Sequence, residues 1–184
     1  MKFCSQCGSK VHLEVPAGDN RHRFVCSECR EIHYQNPKIV AGCLVAHEDK
    51  VLLCKRDIEP RRGLWTLPAG FMENNESTRE AAIRETREEA CAEVVISNLY
   101  TLTSIISIDQ IQMIYLASMT TPCFSAGDET LEARLFDETE VPWNELAFET
   151  ISTALRYYFE DRKKGVFPLR HIDLNRKRPD ADQS

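Results

Sequence analysis

Two apolar, β-branched runs, Ile39 to Ala46 and Val51 to Arg56, are separated only by His47, Glu48, Asp49 and Lys50, a spacing that predicts a hairpin. A third short apolar stretch, Leu64 to Leu67, ends in Pro68 and Gly70, which suits a strand leading into a tight turn whose backbone approaches a ligand. Ser77 followed by Glu80 is a capping box, so a helix is expected from there to about Cys91. At helical spacing Ile83, Thr86 and Ala90 fall on one side of it and Glu85, Glu88 and Glu89 on the other. Val94 to Ile108 reads as one or two strands. Ile111 to Ser118 reads as a further strand, and the continuous Ile114, Tyr115 and Leu116 place it inside the sheet rather than at its edge. Leu131 to Phe136 is another short strand, preceded by the flexible, acidic Ser125 to Glu129. Pro142 is expected to open a second helix carrying Leu146, Ile151, Leu155 and Phe159, with Gly165 ending it. The order of elements predicts an α/β fold, a mixed sheet with helices on its faces, followed from residue 166 by a polar C-terminal tail that ends Asn175 to Ser184 and is expected to be mobile.

Residues 1–36 follow a different pattern. Val11, Leu13, Phe24 and Val25 are almost their only large apolar side chains, too few to bury a core. Cys4, Cys7, Cys26 and Cys29 form two CxxC pairs separated by 18 residues, which predicts a tetrahedral Zn²⁺ site whose binding energy folds a small zinc ribbon. A redox disulfide pair is the alternative. Four cysteines complete the zinc shell, so His12, His22 and His33 are expected to be non-ligands, and Cys43, Cys54, Cys91 and Cys123 to be free thiols. Asn36-Pro37 marks the exit from the ribbon, because the residue before proline is pushed to an extended conformation.

The chain of 184 residues, 42% hydrophobic, has room for one good-sized domain and a small accessory one. No apolar run reaches the length of a membrane span and no secretory leader opens the sequence, so a cytoplasmic protein without a membrane partner is expected. A net charge of -6 argues against a nucleic-acid partner. The first forty residues are mildly basic, six Lys or Arg against four acids, a net of +2, too weak for a strong phosphate-binding surface.

The acidic helix is the candidate chemistry. Like charges three and four residues apart repel by a few tenths of a kcal/mol each, so the cluster is either a solvated acidic face or the seat of a cation. From Gly70 the spacing runs five residues to Glu76, seven to Arg84-Glu85 and two to Glu88-Glu89, and this resembles the signature box of the Nudix hydrolases. Two positions depart from that pattern: Cys91 stands where the family usually has Gly, and Phe71 where a second Gly is common. Neither removes a ligand. The resemblance implies the Nudix α/β/α sandwich over residues 37–165, catalytic Mg²⁺ or Mn²⁺ held by Glu85 and Glu89 with Glu88 assisting and the Ala69 carbonyl completing the shell, and a structural pair in Arg84 and Glu76.

Oxygen ligands in octahedral geometry are what Mg²⁺ and Mn²⁺ prefer. Glu132 and Glu129, outside the box, are the candidates for general base, on a loop that could close over substrate. Arg56, Arg61 and Arg62 are candidates for binding a diphosphate and Phe71 for stacking on a base, whereas Trp65 is expected in the core. Wider likeness, through FCSQCG, HYQNPKIVAGCLV, VLLCKR, GLWTLPAGFME, ETLEARLF and KRP, is to the zinc-ribbon branch that resembles plant-type FAD and ADP-ribose pyrophosphatases. The Ser-Gln-Pro-Trp-Pro-Phe-Pro run of the NADH pyrophosphatases is missing; Thr101 to Ala117 stands in its place. The resemblance therefore implies a small-molecule nucleotide substrate, FAD or ADP-ribose, cleaved to AMP plus FMN or ribose 5-phosphate, and by analogy a homodimer. NADH or a nucleoside triphosphate is the rival substrate, and a nucleotide-sensing binding module is the rival of another class.

Overall fold

A computed structural model describes residues 1–119 and 121–174. The chain divides into two compact units, Met1–Pro37 and a second beginning at Lys38. In the first, β1 (Val11–Glu14), β2 (Arg23–Cys26) and β3 (Ile32–His33) form an antiparallel sheet in that order. Val25 is its one fully buried large aliphatic, and Leu13 stays 57% exposed, so apolar burial contributes little here.

The second unit is built on an eight-stranded mixed sheet. Its strands are β4 (Lys38–His47), β5 (Lys50–Arg56), β6 (Trp65–Thr66), β7 (Ala69–Phe71), β8 (Val94–Ile105), β9 (Gln110–Met119), β10 (Thr130–Phe136) and β11 (Arg170–Leu174). The order is β10-β5-β4-β9-β8-β11, with β6 beside β5 and β7 beside β4. The expected hairpin is present: His47 pairs Lys50, and Glu48 takes a positive φ of 51° in the tight turn. β9 lies between β4 and β8, inside the sheet as its continuous apolar run predicts.

Alternation along β4 separates two cores. Ala41, Cys43 and Val45 face α1 (Thr78–Ala90) and its Ala81, Ala82 and Ala90, while Leu44 faces α2 (Glu149–Lys164) and its Ile151, Leu155 and Phe159. Trp65 is buried edge-on against Phe136, in the core as expected.

Two boundaries differ from the sequence reading. α2 begins at Glu149, not at Pro142, which instead precedes a single 3₁₀ turn over Trp143–Glu145. Leu146 is extended and bridges Trp65, and the Ala147 N–H donates to the Trp65 carbonyl at 2.8 Å, so pairing with β6 holds this segment out of the helix. The expected tail is also ordered at its start. Residues 170–174 form β11, parallel to β8, clasped by Arg170 donating to Asp161 Oδ1 at 2.7 Å while the Tyr100 hydroxyl donates to Asp161 Oδ2 at 2.7 Å. Asn175 to Ser184 lie outside the described residues.

Candidate active site

α1 starts as its capping box predicts: the Glu80 N–H donates to Ser77 Oγ at 3.3 Å and the Ser77 N–H to Glu80 Oε2 at 2.7 Å. It ends at Cys91, which adopts the left-handed conformation, φ 48°, usual for glycine. The loop from β7 into the helix is tied down by Arg84. Its guanidinium forks onto Glu76, at 2.7 Å and 3.0 Å, and donates to the Phe71 carbonyl at 3.1 Å. Hydrogen bonds from Arg84 and from the Glu73 N–H hold the Glu76 carboxyl down to about 2.

Arg84 also reaches the acidic cluster, through Nη1 to Glu85 at 2.8 Å and to Glu88 at 2.9 Å. Glu88 remains exposed on its outer side. Glu89 does not lie on the polar face as helical spacing predicts. Only 8% exposed, it shares the buried arc with Ala82, Thr86 and Ala90. Alanines let the helix approach the sheet closely, so the buried arc centres on them, with Ile83 partly buried at its margin. Glu89 Oε2 accepts the Ala69 N–H at 3.1 Å. Burial pushes its carboxyl up to about 8, with the charges of Glu85 and Glu129 adding to the rise, against the Ala69 hydrogen bond and Arg56. Burial likewise raises Glu85, against Arg84.

Gly70 is where the strand and the cluster meet. A Cβ there would overlap the Glu85 carboxylate, so Gly70→Ala is expected to displace that group and lower activity about tenfold or more while leaving the melting temperature within a few degrees, checked by kinetics and calorimetry.

The segment Ser125 to Glu129, flexible by composition, is anchored. The Ser125 N–H donates to the Ala90 carbonyl at 2.9 Å and the Gly127 N–H to the Glu89 carbonyl at 3.1 Å, so the loop satisfies the open end of α1. A Cβ on Gly127 would strike the Glu88 carbonyl, which explains the glycine. This brings Glu129 close enough for its charge to raise both Glu85 and Glu89. Glu132 is exposed on β10 opposite Lys55, past a register shift.

The three arginines differ in their surroundings. Arg56 is 9% exposed, with Nε donating to the Pro60 carbonyl at 2.9 Å and its guanidinium over the Phe148 ring. Arg62 pairs with Asp57 at 2.6 Å, and Arg61 is exposed with a positive φ of 70°. Phe71 is 47% exposed, with the Lys38 ammonium 4.9 Å from its ring centroid. One polar residue that motif spacing does not single out is Gln112, buried in mid-sheet; its signal is a polar side chain inside an apolar strand.

Cation ligation differs between the two candidate centres. Cys4, Cys7, Cys26 and Cys29 bring their sulfurs within 4.8 Å of one another, and the separations of 3.4 Å, 3.6 Å and 3.7 Å between individual pairs match the edge of about 3.8 Å expected for thiolates around one Zn²⁺. They are far too long for a disulfide, about 2.05 Å. His33 Nε2 lies 3.3 Å from Cys4 Sγ, outside the set of four. Among the described residues no acidic group converges as tightly, because Arg84 holds Glu85 and Glu88. The donors nevertheless fit a hard divalent cation: three carboxylates within five residues, two of them half-buried or buried and mutually repelling.

The chain belongs to the Nudix family: its NUDIX domain spans residues 36–161, preceded over residues 2–35 by the zinc ribbon described as Nudix N-terminal. A NUDIX hydrolase from Nitrosomonas europaea is similar in structure, with 51% identity, a TM-score of 0.89 and coverage of 95% of this chain and all of that one. The NAD-capped RNA hydrolase NudC of Vibrio vulnificus is 36% identical over 95 residues, 51% of this chain. That match spans only about a third, 34%, of the relative's own length. The ADP-ribose pyrophosphatase of Methanocaldococcus jannaschii is 30% identical over 120 residues, 63% of this chain and 70% of that protein. No helix among the described residues is long and apolar enough to cross a membrane.

Proposed function

We propose that the protein hydrolyses the diphosphate linkage of an ADP-linked compound, ADP-ribose or FAD, to AMP plus ribose 5-phosphate or FMN. The observation that carries this reading is the packing of Glu85 and Glu89 against Gly70 and Ala69, with Glu129 and Glu88 at the margin. Mg²⁺ or Mn²⁺ would be held by Glu85, Glu89, Glu88 and the Ala69 carbonyl. When bound, the ion neutralises the diphosphate and lowers the pKa of the attacking water. To hold the cation, Glu85 and Glu88 would give up their pairs with Arg84, whose fork on Glu76 would still keep the loop in place. Glu129 is better placed than Glu132 to take the proton from water, since its charge is felt at the cluster. Water adds to one phosphorus and the bridging P–O bond breaks, leaving a phosphate monoester on each product. Arg61 and Arg62 would meet the outer phosphate oxygens, while Arg56 acts by holding its loop and by its charge on Glu89.

A second reading has support in the likeness to NudC, an NAD-capped RNA hydrolase: the substrate would then be an NAD-type dinucleotide, free or at the end of an RNA. The same test separates the two. Purified protein is given ADP-ribose, FAD, NADH, NAD-capped RNA and nucleoside triphosphates with Mg²⁺ or Mn²⁺, and products are resolved by chromatography. AMP released fastest from ADP-ribose or FAD is expected. Turnover confined to NADH or the capped RNA replaces the first reading with the second, and no turnover on any compound refutes both.

A further inference from the structure

The mixed sheet ends on one side at β10, which pairs with β5 and, among the described residues, with no other strand. Its outer edge therefore presents unpaired N–H and C=O groups, which a protein must either protect or pair. The strand is well formed: Glu132 to Phe136 pair residue by residue with Lys55 to Val51, after a register shift between Thr130 and Glu132. Phe136 belongs to the core packed on α2, so by alternation Glu132 and Arg134 lie on that same face. Both are exposed, and Leu131 beside them is 48% exposed. Neither charge is in an ion pair among the described residues. Lys55, opposite Glu132, places its ammonium 5.7 Å from the centroid of the Trp65 ring, and the Arg134 guanidinium lies 4.8 Å from that of Phe136. An edge strand thus carries one acid and one base two residues apart, both unmatched within the chain.

We propose that β10 is the surface on which a second copy of this chain docks, the two strands pairing antiparallel about Ala133 and joining the two sheets edge to edge. Side chains that oppose each other in a sheet share a face, so the twofold axis of such a pair passes through a single residue. An axis through Glu132 would set the two glutamates against each other, and one through Arg134 the two arginines. An axis through Ala133 sets Glu132 opposite Arg134 twice and Leu131 opposite Leu135. Opposite charges across a strand pair stabilise it and like charges destabilise it, so the sequence selects the register about Ala133 and disfavours its neighbours. The register shift near Leu131 falls outside the central triplet of Glu132, Ala133 and Arg134. A peptide of unrelated sequence would gain the backbone bonds without both charge matches, and a second copy gains all of them. The homodimer expected by analogy thereby acquires a definite contact surface, and the inference is independent of the substrate.

The test is sedimentation of the full chain over a range of concentrations, with thermal melts to show that each variant is folded. Wild type is expected to dimerise with a dissociation constant on the order of micromolar, as suits a small interface. Glu132→Arg and Arg134→Glu are each expected to weaken self-association at least about tenfold, because each makes the opposed charges alike. Two further samples separate this contact from a general loss of structure. The double variant Glu132→Arg/Arg134→Glu reverses both charges and is expected to dimerise as wild type does. An equimolar mixture of the two single variants, each monomeric alone, is expected to form the mixed dimer, since every opposed pair is then unlike. The proposal is overturned if wild type remains monomeric at about 100 μM, well above that constant. A dimer indifferent to both single reversals places the contact elsewhere and overturns it too. So does failure of both the double variant and the mixture to restore the dimer while the variants melt as wild type does.

Discussion

Glu89→Gln is expected to lower turnover at least about a hundredfold while the protein stays folded, because it removes one metal-ligating charge and the loss corresponds to roughly 2.7 kcal/mol of transition-state stabilisation. The amide keeps an oxygen to accept the Ala69 N–H, so the join between α1 and β7 survives. Stability should respond in the opposite direction. A carboxyl raised from 4.5 to about 8 binds more protons in the folded than in the unfolded chain between those values. The metal-free wild type therefore loses stability as pH rises from about 4.5 to about 8 and levels off above, and the substitution removes that slope. Thermal melts in chelator at several pH values, beside steady-state rates with Mg²⁺ and Mn²⁺, check both parts. Near-normal turnover with unchanged metal dependence would refute the ligand role.

Cys26→Ser is expected to abolish stoichiometric zinc binding and unfold the first unit, residues 1–37. Cys26 is fully buried and its sulfur lies 3.4 Å from that of Cys7, while Val25 is the one large aliphatic side chain of the unit that is fully buried. With so little apolar surface removed from water, metal coordination supplies the folding free energy, on the order of 10 kcal/mol for structural zinc. Metal analysis and limited proteolysis of the ribbon give the readout. Unchanged zinc content and resistance to cleavage would exclude the site.

Local signals account for most of the architecture. Capping, the two CxxC pairs and the period-two runs each depend on neighbours a few residues away, so the ribbon cysteines, the start and end of α1 and the interior position of β9 are legible from residues alone. Where the reading fails, the deciding partner is distant in sequence. Leu146 keeps a helix-compatible spacing, yet the carbonyl of Trp65 draws its neighbour into a bridge. Arg170 to Leu174 carry only two apolar residues at strand spacing, Ile172 and Leu174, too short a run to mark a strand, and Asp161 and Tyr100 hold them against β8. Ser125 to Glu129 look loose by composition but close the end of α1.

The same division runs through the site. The spacing of Gly70, Glu76, Arg84, Glu85, Glu88 and Glu89 is set by the chain itself and identifies the family, since a loop and helix of fixed geometry convert that spacing into side chains at fixed relative positions. Their environments come only from packing. Tertiary structure buries Glu89 against Ala69, sets Arg84 between Glu76 and the cluster, brings Glu129 near, and leaves the amide of Gln112 without a partner in mid-sheet. Sequence periodicity orients a helix only to within a residue or so, whereas burial and charge depend on what the sheet and a distant loop bring against it.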